Sequence, residues 1–329
     1  MSRRNITSRL AGVLVALTAL PLAASAQSPE RMWRLAVLTP TAASLESIRN
    51  LTLPELAALG YIEGRNLIVD ARSADNKFDR LPDLARDVVA NGPDVIIANA
   101  TRAIVAARGA TSSIPIIMAF AGEDPVAAGW VKSLSKPGTN LTGLVMLGPE
   151  LEKKRLELLH QSFPERRQVA VLTLGDASQE PHIRALSEAA TALGINLVLI
   201  RASGTEDYPI AFATMRSTGA EALVIPSATI YANDRSQILS FALEAKLPTV
   251  CEFSTMAHSG CLLSYGANLP ELRRRTAHFA ARILGGTPPG ELPIERPTKF
   301  DTVVNLKTAE LLGVEIPPEV VAQADEVIE

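Results

Sequence analysis

From residue 33 onward, short apolar runs alternate with amphipathic segments along the whole chain. A continuous apolar run such as residues 95–98 predicts a strand that is buried on both faces of a sheet. Residues 81–90 carry apolar side chains at three- and four-residue spacing, which predicts a helix with one buried face. Strands and helices that alternate in this way are typical of parallel sheets covered by helices on both sides.

The same pattern continues to the end of the chain and predicts two similar sets of elements. Further strands are predicted at residues 33–38, 66–71, 114–120, 169–172, 195–200, 222–225, 249–253 and 262–265. Further helices are predicted at residues 51–59, 101–108, 151–161, 179–193, 208–217, 234–245 and 269–284, and another is expected to begin at Asp124-Pro125. A single sheet of ten or more strands is unusual, so we expect an α/β protein with two doubly wound parallel-sheet lobes.

The first 26 residues have the composition of an export signal. Three arginines precede an apolar run at residues 10–22, and Ala24-Ser25-Ala26 offers the small residues that a signal peptidase recognises. A membrane anchor is the alternative, but an apolar run of about 13 residues is shorter than the roughly 20 that a spanning helix needs. We therefore expect cleavage after Ala26 and a mature protein in the periplasm.

Composition and charge narrow the classes of function. The chain of 329 residues is 47% apolar and 20% charged, which suits a globular protein with a full hydrophobic core. Its formal net charge is −3, and removal of the predicted signal, with three arginines and no acidic residue, makes it −6. An acidic chain with only 4% aromatic residues lacks the basic surface and the stacking rings of a nucleic-acid-binding protein. We expect no nucleic-acid partner.

Motifs for covalent or cofactor chemistry are missing from the sequence. There is no G-x-G-x-x-G turn after a strand, no G-K-[ST] phosphate loop and no G-x-S-x-G nucleophile elbow. The four histidines lack the spacing of a metal site, and His160 and His182 are interpreted as solvent-exposed helix residues. We expect no cofactor, no metal and no catalytic residue. Cys251 and Cys261 could pair in an oxidising compartment, but their separation along the chain leaves this open.

Polar residues follow the predicted strands of the first half of the chain. In doubly wound sheets, ligands bind at the carboxyl ends of the strands. Thr39 follows the first strand, Thr101 and Arg102 begin the helix after the third, and Asp124 follows the fourth. Free N–H groups at the start of that helix favour an anion, to which Thr101 could add a donor. The alternatives are that Thr101 and Asp124 only cap helices and that Arg102 points to solvent.

A second group of candidate residues follows strands in the other half of the chain. Asp176 and Ser227 each come after a predicted strand, and Phe253 and Tyr265 each end one. Because aromatic residues are scarce in this sequence, Phe253 and Tyr265 are candidates to flank the apolar body of a ligand. Phe253 could equally belong to the core of its lobe, whereas Tyr265, beside a glycine at a strand end, is the stronger candidate for the site.

Several motifs, in order from about residue 33 to the C-terminus, resemble one known family. They are LAALGYIEGRN at 56–66, PDVIIA at 93–98 followed by Ala100-Thr101, DPV at 124–126, KPGTNLTG at 136–143, KRLELL at 154–159, LSYG at 263–266, PTKF at 297–300 and NLKTA at 305–309. This family is the ABC transporter substrate-binding proteins of the tryptophan/tyrosine-type group. The sequence departs from the family pattern at Ala100, where glycine is usual, and at Arg102, where proline is common.

The resemblance implies a periplasmic-binding-protein type I fold, with two α/β lobes, a cleft and a hinge that the chain crosses more than once. It implies an N-terminal lobe of residues 33–145 plus 267–295 and a C-terminal lobe of residues 146–266 plus 296–329. Thr101, Asp124 and Tyr265 fall in family motifs near the cleft. The additional Arg102 favours a ligand with an acidic group, provided that its side chain does not point to solvent.

We therefore expect the solute-binding component of an ABC import system. It would bind a small polar or aromatic amino-acid-like ligand in the cleft, close about the hinge and deliver the ligand, as a monomer, to an ABC permease in the inner membrane. The candidate ligand-binding residues are Thr39, Thr101, Arg102, Asp124, Asp176, Ser227, Phe253 and Tyr265. The alternatives are an exported ligand sensor that docks on a membrane receptor and an enzyme with its active site in the cleft.

Overall fold

The computed structural model describes residues 31–146 and 148–329, and the predicted signal peptide with its cleavage site lies outside them. The strands of the described chain form two sheets, one of five strands and one of seven. Most neighbouring strands are parallel and helices connect them, so the predicted α/β class with two lobes is confirmed. None of the described helices has the length and apolar composition needed to cross a membrane.

The first sheet is formed by the chain up to residue 145. Its strands are β1 (Trp33–Thr39), β2 (Leu67–Ser73), β3 (Val95–Asn99), β4 (Ile116–Ala121) and β5 (Leu141–Val145). Its helices are α1 (Ala42–Ser47), α2 (Leu53–Ala58), α3 (Leu81–Ala90) and α4 (Ala100–Ala110), with a π-helical turn between α1 and α2. The strands are all parallel, in the order β2-β1-β3-β4-β5.

Both faces of this sheet are covered, as its apolar strands predict. Along β1, Leu35 and Val37 point into one hydrophobic core, and Ala36 and Leu38 point into the other. All four are at most 1% exposed. Successive residues of a strand face opposite sides of the sheet, so a strand with no polar side chain in this stretch requires helices on both sides.

The second sheet is formed mainly by the chain after residue 148. Its strands are β6 (Gln168–Thr173), β7 (Asn196–Arg201), β8 (Ala222–Val224), β9 (Thr249–Cys251), β10 (Leu263–Ala267), β11 (Phe300–Asn305) and β12 (Glu326–Ile328). Its helices are α5 (Gly148–Ser162), α6 (Glu180–Leu193), α7 (Tyr208–Ser217), α8 (Thr229–Asn233), α9 (Arg235–Glu244) and α10 (Ser254–Ala257), and, after α11 (Leu269–Leu284), α12 (Leu306–Leu312) and α13 (Pro318–Ala322). The strand order is β12-β11-β10-β9-β8-β6-β7.

The chain passes between the two sheets more than once. After β10, helix α11 returns to the first sheet, where Leu272, Ala277 and Ile283 join the same hydrophobic core as Leu35 and Val37. The chain then re-enters the second sheet as β11, which pairs antiparallel with β10. β11 therefore runs opposite to β10, and this pair is antiparallel in a sheet whose other neighbouring strands are parallel.

Other elements also differ from the prediction. The helix expected to begin at Asp124-Pro125 does not form: residues 125–130 make turns, in which Asp124 Oδ1 accepts the N–H of Val126 at 2.8 Å and that of Ala127 at 3.3 Å. Strands β5 and β12 were not predicted, because each is short and is stabilised by pairing with a strand that is distant in sequence.

Candidate functional site

The carboxyl ends of the strands of the two sheets lie next to each other. Asn76, which follows β2, accepts at Oδ1 a hydrogen bond of 2.9 Å from Nδ2 of Asn233, the last residue of α8. Helix α8 follows β8, so this bond joins the carboxyl edge of the first sheet to that of the second. Ligands of doubly wound sheets bind at these edges, and the space between them is the candidate site.

On the first lobe, a buried arginine joins the ends of several elements at this edge. Arg273 of α11 is 5% exposed. Its Nε donates to Ser47 Oγ at 3.1 Å and its Nη1 donates to Asn99 Oδ1 at 2.7 Å. The guanidinium carbon lies 4.2 Å from the centre of the Phe120 ring, a cation–π distance. We call Ser47, Asn99, Phe120 and Arg273 the Arg273 cluster.

Backbone strain is concentrated at the same strand ends. Ala100 (φ 64°) and Phe120 (φ 68°) adopt the left-handed conformation, which is uncommon for residues other than glycine. Thr101 Oγ1 accepts a hydrogen bond of 3.1 Å from the N–H of Gly122 and so ties the turn after β3 to the turn after β4. Strained residues cost about 1–3 kcal/mol each and cluster at ligand sites, where the surrounding structure holds them in place.

On the second lobe, buried charged residues lie beneath the corresponding edge. Glu152 and Arg155 are one turn apart on α5, and both are 0% exposed. Arg155 Nε donates to Glu152 Oε2 at 3.1 Å, and Arg155 Nη2 lies 2.7 Å from Oε1. His182 Nδ1 is 2.9 Å from the same Oε1. Glu252, directly after β9 and 4% exposed, is also in electrostatic contact with Arg155. We call these four residues the Glu152 network.

The Glu152 network holds the backbone of two predicted site residues. Arg155 Nη1 donates to the carbonyl oxygen of Tyr265 at 3.0 Å. The N–H of Ser227 donates to Glu152 Oε1 at 2.9 Å. The backbone of Ser227, after β8, and that of Tyr265, within β10, are therefore fixed by one buried ion pair. The Tyr265 ring stacks on Phe300, with ring centres 6.0 Å apart and planes 15° apart.

The two carboxyl groups of this network have opposite pKa shifts. Burial would raise the pKa of Glu152, but the charge of Arg155 and the hydrogen bonds from His182 and Arg155 lower it below the usual value. Burial raises the pKa of Glu252, and the attraction of Arg155 and a hydrogen bond to Ser227 offset this only in part. One carboxylate therefore neutralises Arg155, and the other carboxyl group keeps its proton over a wider pH range.

The predicted residues of the first lobe take different positions. Thr39 is fully buried, and its hydroxyl donates to the carbonyl of Thr41 at 3.0 Å. Thr101 is half-buried at the start of α4, beside the Arg273 cluster residue Asn99. Arg102 is exposed and lies 4.5 Å from the centre of the Phe78 ring, so it is not part of the Arg273 cluster. Asp124 is exposed and caps its own turn.

The predicted residues of the second lobe lie along one edge of the sheet. Ser227 and Phe253 are half-buried just after β8 and β9. Tyr265 is half-buried in the middle of the neighbouring strand β10, which continues to Ala267, so its predicted position at a strand end is wrong. Asp176 is exposed after β6, on the far side of β8. The structure thus brings Ser227, Phe253 and Tyr265 together.

The cysteines and histidines of the second lobe also have defined places. Cys251 and Cys261, both buried, form a disulfide with a Cα–Cα distance of 6.5 Å, so the question that the sequence left open is answered. His182 is 7% exposed and pairs with Glu152, so its interpretation as a solvent-exposed helix residue is wrong. Within residues 31–146 and 148–329, no group of three or more His, Cys, Asp or Glu side chains could hold a metal ion.

A comparison with known families decides which kind of protein has this architecture. Residues 38–328 match the family described as ABC transporter substrate binding protein. The chain belongs to this family. The resemblance seen in the sequence motifs is therefore confirmed, and the alternative of an enzyme is set aside because these are solute-binding proteins. Substrate-binding proteins of ABC systems act outside the cytoplasmic membrane.

Individual relatives of this substrate-binding protein share its length and its fold. A tyrosine-binding protein of Clostridioides difficile is 26% identical over 274 residues, which are 83% of this chain and 78% of the relative. A structure from Streptococcus pneumonia in complex with L-Trp is 25% identical, with a TM-score of 0.83 over 90% of this chain and all of the other. A ligand-free, open substrate binding protein of Clostridium difficile is also 25% identical, with a TM-score of 0.68 over 91% of this chain and 99% of the other.

Several residues of this substrate-binding protein's candidate site were missed in the sequence. Arg273 stands in a run of three arginines on one helix, and only packing shows that it is the buried one. Glu152 and Arg155 are three residues apart in a helix rich in charged residues, and this pattern predicts a solvent-exposed face. A local signal did exist, because both occupy the same helix face as the buried Leu151, Leu156 and Leu159.

Proposed function

We propose that this chain is the solute-binding component of an ABC import system and binds a small amino-acid-like ligand between its lobes. The observation that carries this proposal is the apposition of the two strand-end edges, with a buried cationic cluster on one side and Tyr265 and Phe253 on the other. The family match supports the transport role, and the tyrosine-binding and L-Trp-bound relatives support an aromatic amino acid as ligand.

The residues that would contact the ligand come from both edges. Thr101, beside the strained turn after β3, would face it from the first lobe, and Ser227, Phe253 and Tyr265 from the second. The aromatic rings would enclose the apolar part of the ligand, and backbone N–H groups and hydroxyls would orient its polar part. Thr39 and Asp124, whose polar atoms are already bonded within the first lobe, would shape this edge. Asp176 and Arg102 would lie at its margin.

Closure of the two lobes would couple ligand binding to transport. The proposed lobes are residues 33–145 with 267–295 and residues 146–266 with 296–329, which agrees with the packing of α11 on the first sheet and of β11 in the second. At equal identity, the chain is more similar to the L-Trp complex than to the ligand-free, open structure. With the Asn76–Asn233 hydrogen bond, this supports a closed arrangement of the lobes. After export and cleavage behind Ala26, the monomer would carry its ligand across the periplasm to the permease.

A binding screen on the mature protein tests this proposal. The protein is unfolded and refolded to remove any co-purified ligand, and thermal unfolding is then followed with L-tyrosine, L-tryptophan, the other amino acids and simple aromatic acids. A ligand that binds only the folded state stabilises it by about 2.7 kcal/mol at a hundred times its Kd. We expect a rise in Tm with at least one aromatic amino acid. No rise with any compound would contradict the proposal.

A matched pair of variants locates the site. Tyr265→Ala removes a ring from the strand-end edge, and we expect the Kd for the ligand to rise by about tenfold or more, since a buried aromatic contact is lost. Tyr208→Phe is the control, because the Tyr208 hydroxyl donates to Asp234 Oδ2 at 2.7 Å within the second lobe. This control should lower Tm and leave the Kd unchanged. An unchanged Kd for Tyr265→Ala would make Tyr265 a core residue.

A further inference from the structure

The Arg273 guanidinium is a buried cation whose partners in the described chain are all neutral. It is 5% exposed, and its hydrogen bonds go to the Ser47 hydroxyl and the Asn99 amide oxygen. Its third contact is the face of the Phe120 ring. No carboxylate of residues 31–146 or 148–329 forms an ion pair with it, and its Nη2 makes no hydrogen bond to these residues.

The other lobe shows what a buried guanidinium in this protein normally has. Arg155 is also buried, and Glu152 neutralises it with Oε2 at Nε and Oε1 near Nη2 of the guanidinium. A buried charge without a partner costs several kcal/mol, and proteins therefore pair buried arginines with carboxylates or phosphates. Burial lowers the pKa of Arg273 to about 9. The guanidinium still carries its charge at neutral pH, and no carboxylate of residues 31–146 or 148–329 supplies its counter-charge.

The position of Arg273 points to the cleft as the source of that counter-charge. Its partner Asn99 is the last residue of β3 and the N-cap of α4, and Phe120 lies at the end of β4. Both strand ends belong to the edge that faces the second lobe. Ala100, which follows Asn99, and Phe120, a member of the cluster, both adopt strained left-handed conformations. The predicted basic residue, Arg102, is exposed over Phe78 and does not serve this role.

We propose that Arg273 binds the carboxylate of the ligand and that the protein selects carboxylic acids for this reason. The guanidinium offers Nη2 and the outer edge of its fork, which match the two oxygens of a carboxylate. Asn99 and Ser47 hold the fork in position, and Phe120 covers its face. This inference rests on the proposed function, because it assigns a group of the ligand to one residue of the inter-lobe site.

Matched pairs of compounds test the role of the carboxylate in the wild-type protein. Thermal shifts and calorimetric Kd values are measured for L-tyrosine with L-tyrosinamide, L-tryptophan with L-tryptophanamide, and 4-hydroxybenzoate with 4-hydroxybenzamide. We expect the acid of a bound pair to have a Kd at least about tenfold lower than its amide, because hydrogen bonds to charged groups are the stronger ones. Equal affinity for acid and amide would overturn the inference and leave the binding function intact. Binding of none of the six compounds would overturn both.

Variants of Arg273 assign the preference to this residue. Arg273→Met keeps an unbranched apolar stem and removes the charged guanidinium, and Arg273→Lys keeps the charge and removes the fork. We expect Arg273→Met to lose the preference for the acid and Arg273→Lys to retain part of it. Arg274→Met is the control, because Arg274 is the next residue on the same helix and pairs with Glu271 at the surface. It should retain the full preference.

A purely structural role for Arg273 gives a different result. In that case Arg273→Met lowers Tm but keeps the wild-type ratio of acid to amide affinity, and the inference is overturned. If Arg273→Met does not fold, Arg273→Lys decides, because a weaker acid preference at a wild-type Tm supports a carboxylate contact. An unchanged preference in that variant contradicts it.

Discussion

Glu152 and Glu252 share one buried arginine, and we expect neutralisation of each to have opposite consequences. Glu152→Gln removes the carboxylate that holds Arg155 by both Nε and Nη2 and leaves the guanidinium buried without a counter-charge. Removal of one partner of a buried ion pair costs about 3–5 kcal/mol. With an unfolding entropy of about 2.1 cal/mol/K per residue, a chain of this size should lose roughly 5–8 °C in Tm.

Glu252→Gln should behave differently, because burial raises the pKa of Glu252 in the folded protein and so favours its neutral form. A glutamine has about the size of a protonated glutamate and, like it, carries no charge. Its folded-state pKa lies above the unfolded value, so the stability that Glu252 contributes is present below the unfolded pKa and is lost as pH rises through the folded one. At mildly acidic pH, we expect the free energy of unfolding of Glu252→Gln to lie within about 1 kcal/mol of the wild-type value. As pH rises, the variant should lose less stability than wild type.

Glu152 has the opposite dependence on pH. Its pKa is lowered in the folded protein, so its contribution is present above the unfolded carboxyl pKa and is lost as pH falls through the folded value. Wild type should therefore lose stability in acid partly through Glu152, and Glu152→Gln should lack this part of the acid dependence. The two variants together separate the pH-dependent contribution of Glu152, whose pKa is lowered, from that of Glu252, whose pKa is raised.

Chemical denaturation followed by circular dichroism at several pH values measures these effects. Tryptophan fluorescence serves as an internal control, because Trp33 and Trp130, the two tryptophans of the sequence, both pack in the cores of the first lobe. If the lobes unfold separately, circular dichroism should show the loss of stability of the second lobe, and tryptophan fluorescence, which reports on the first lobe, should not change. The reasoning is refuted if Glu252→Gln destabilises as much as Glu152→Gln, or if its stability falls with rising pH as in wild type.

Three further predictions concern other parts of the molecule. Ala100→Gly should raise the free energy of unfolding by up to about 1 kcal/mol in denaturant titrations, because glycine adopts φ 64° without strain, and a loss of stability would contradict this. Reduction of the Cys251–Cys261 disulfide, or its replacement by serines, should cost about 3 kcal/mol for a loop of this length, seen as a lower Tm with dithiothreitol, and an unchanged Tm would count against it. Asn233→Ala should leave the Tm of the ligand-free protein unchanged and speed ligand dissociation by about two- to tenfold in stopped-flow measurements, whereas an unchanged rate would show that the Asn76–Asn233 bond does not hold the lobes together.

Elements bounded by local signals are those that the sequence predicts best. Helix α11 has its predicted bounds, because Asn268 caps it through the N–H of Glu271, a proline stands in its first turn and two glycines follow it. Helix α7 also has its predicted bounds. The helix expected after Asp124 fails, because the local capping geometry forms there without a packed helix to follow it.

The residues of the candidate site also differ in how well the sequence predicts them. The edge positions of Ser227 and Phe253 could be predicted, because strand ends are visible in the sequence and parallel strands present their carboxyl ends at one edge. Tyr265 lies in the middle of β10 instead, because pairing with β11 extends that strand to Ala267. Arg102 is a candidate from the sequence because it follows a strand closely, whereas Arg273, which the sequence analysis does not identify, reaches the same edge from a helix about 170 residues later in the chain. Proximity along the chain favoured the exposed arginine, and only packing shows which arginine is buried.

The sequence by itself determined the α/β class, the two sets of elements and the family, because these depend on local periodicity, on turn residues and on motifs in order. The tertiary structure decided which charges are buried and with what partners. Glu152 and Arg155 of α5 meet His182 of α6, and Arg273 meets Asn99 across 174 positions. A charge is stabilised or left unpaired by the groups around it in space, and the order of residues along the chain does not specify those groups.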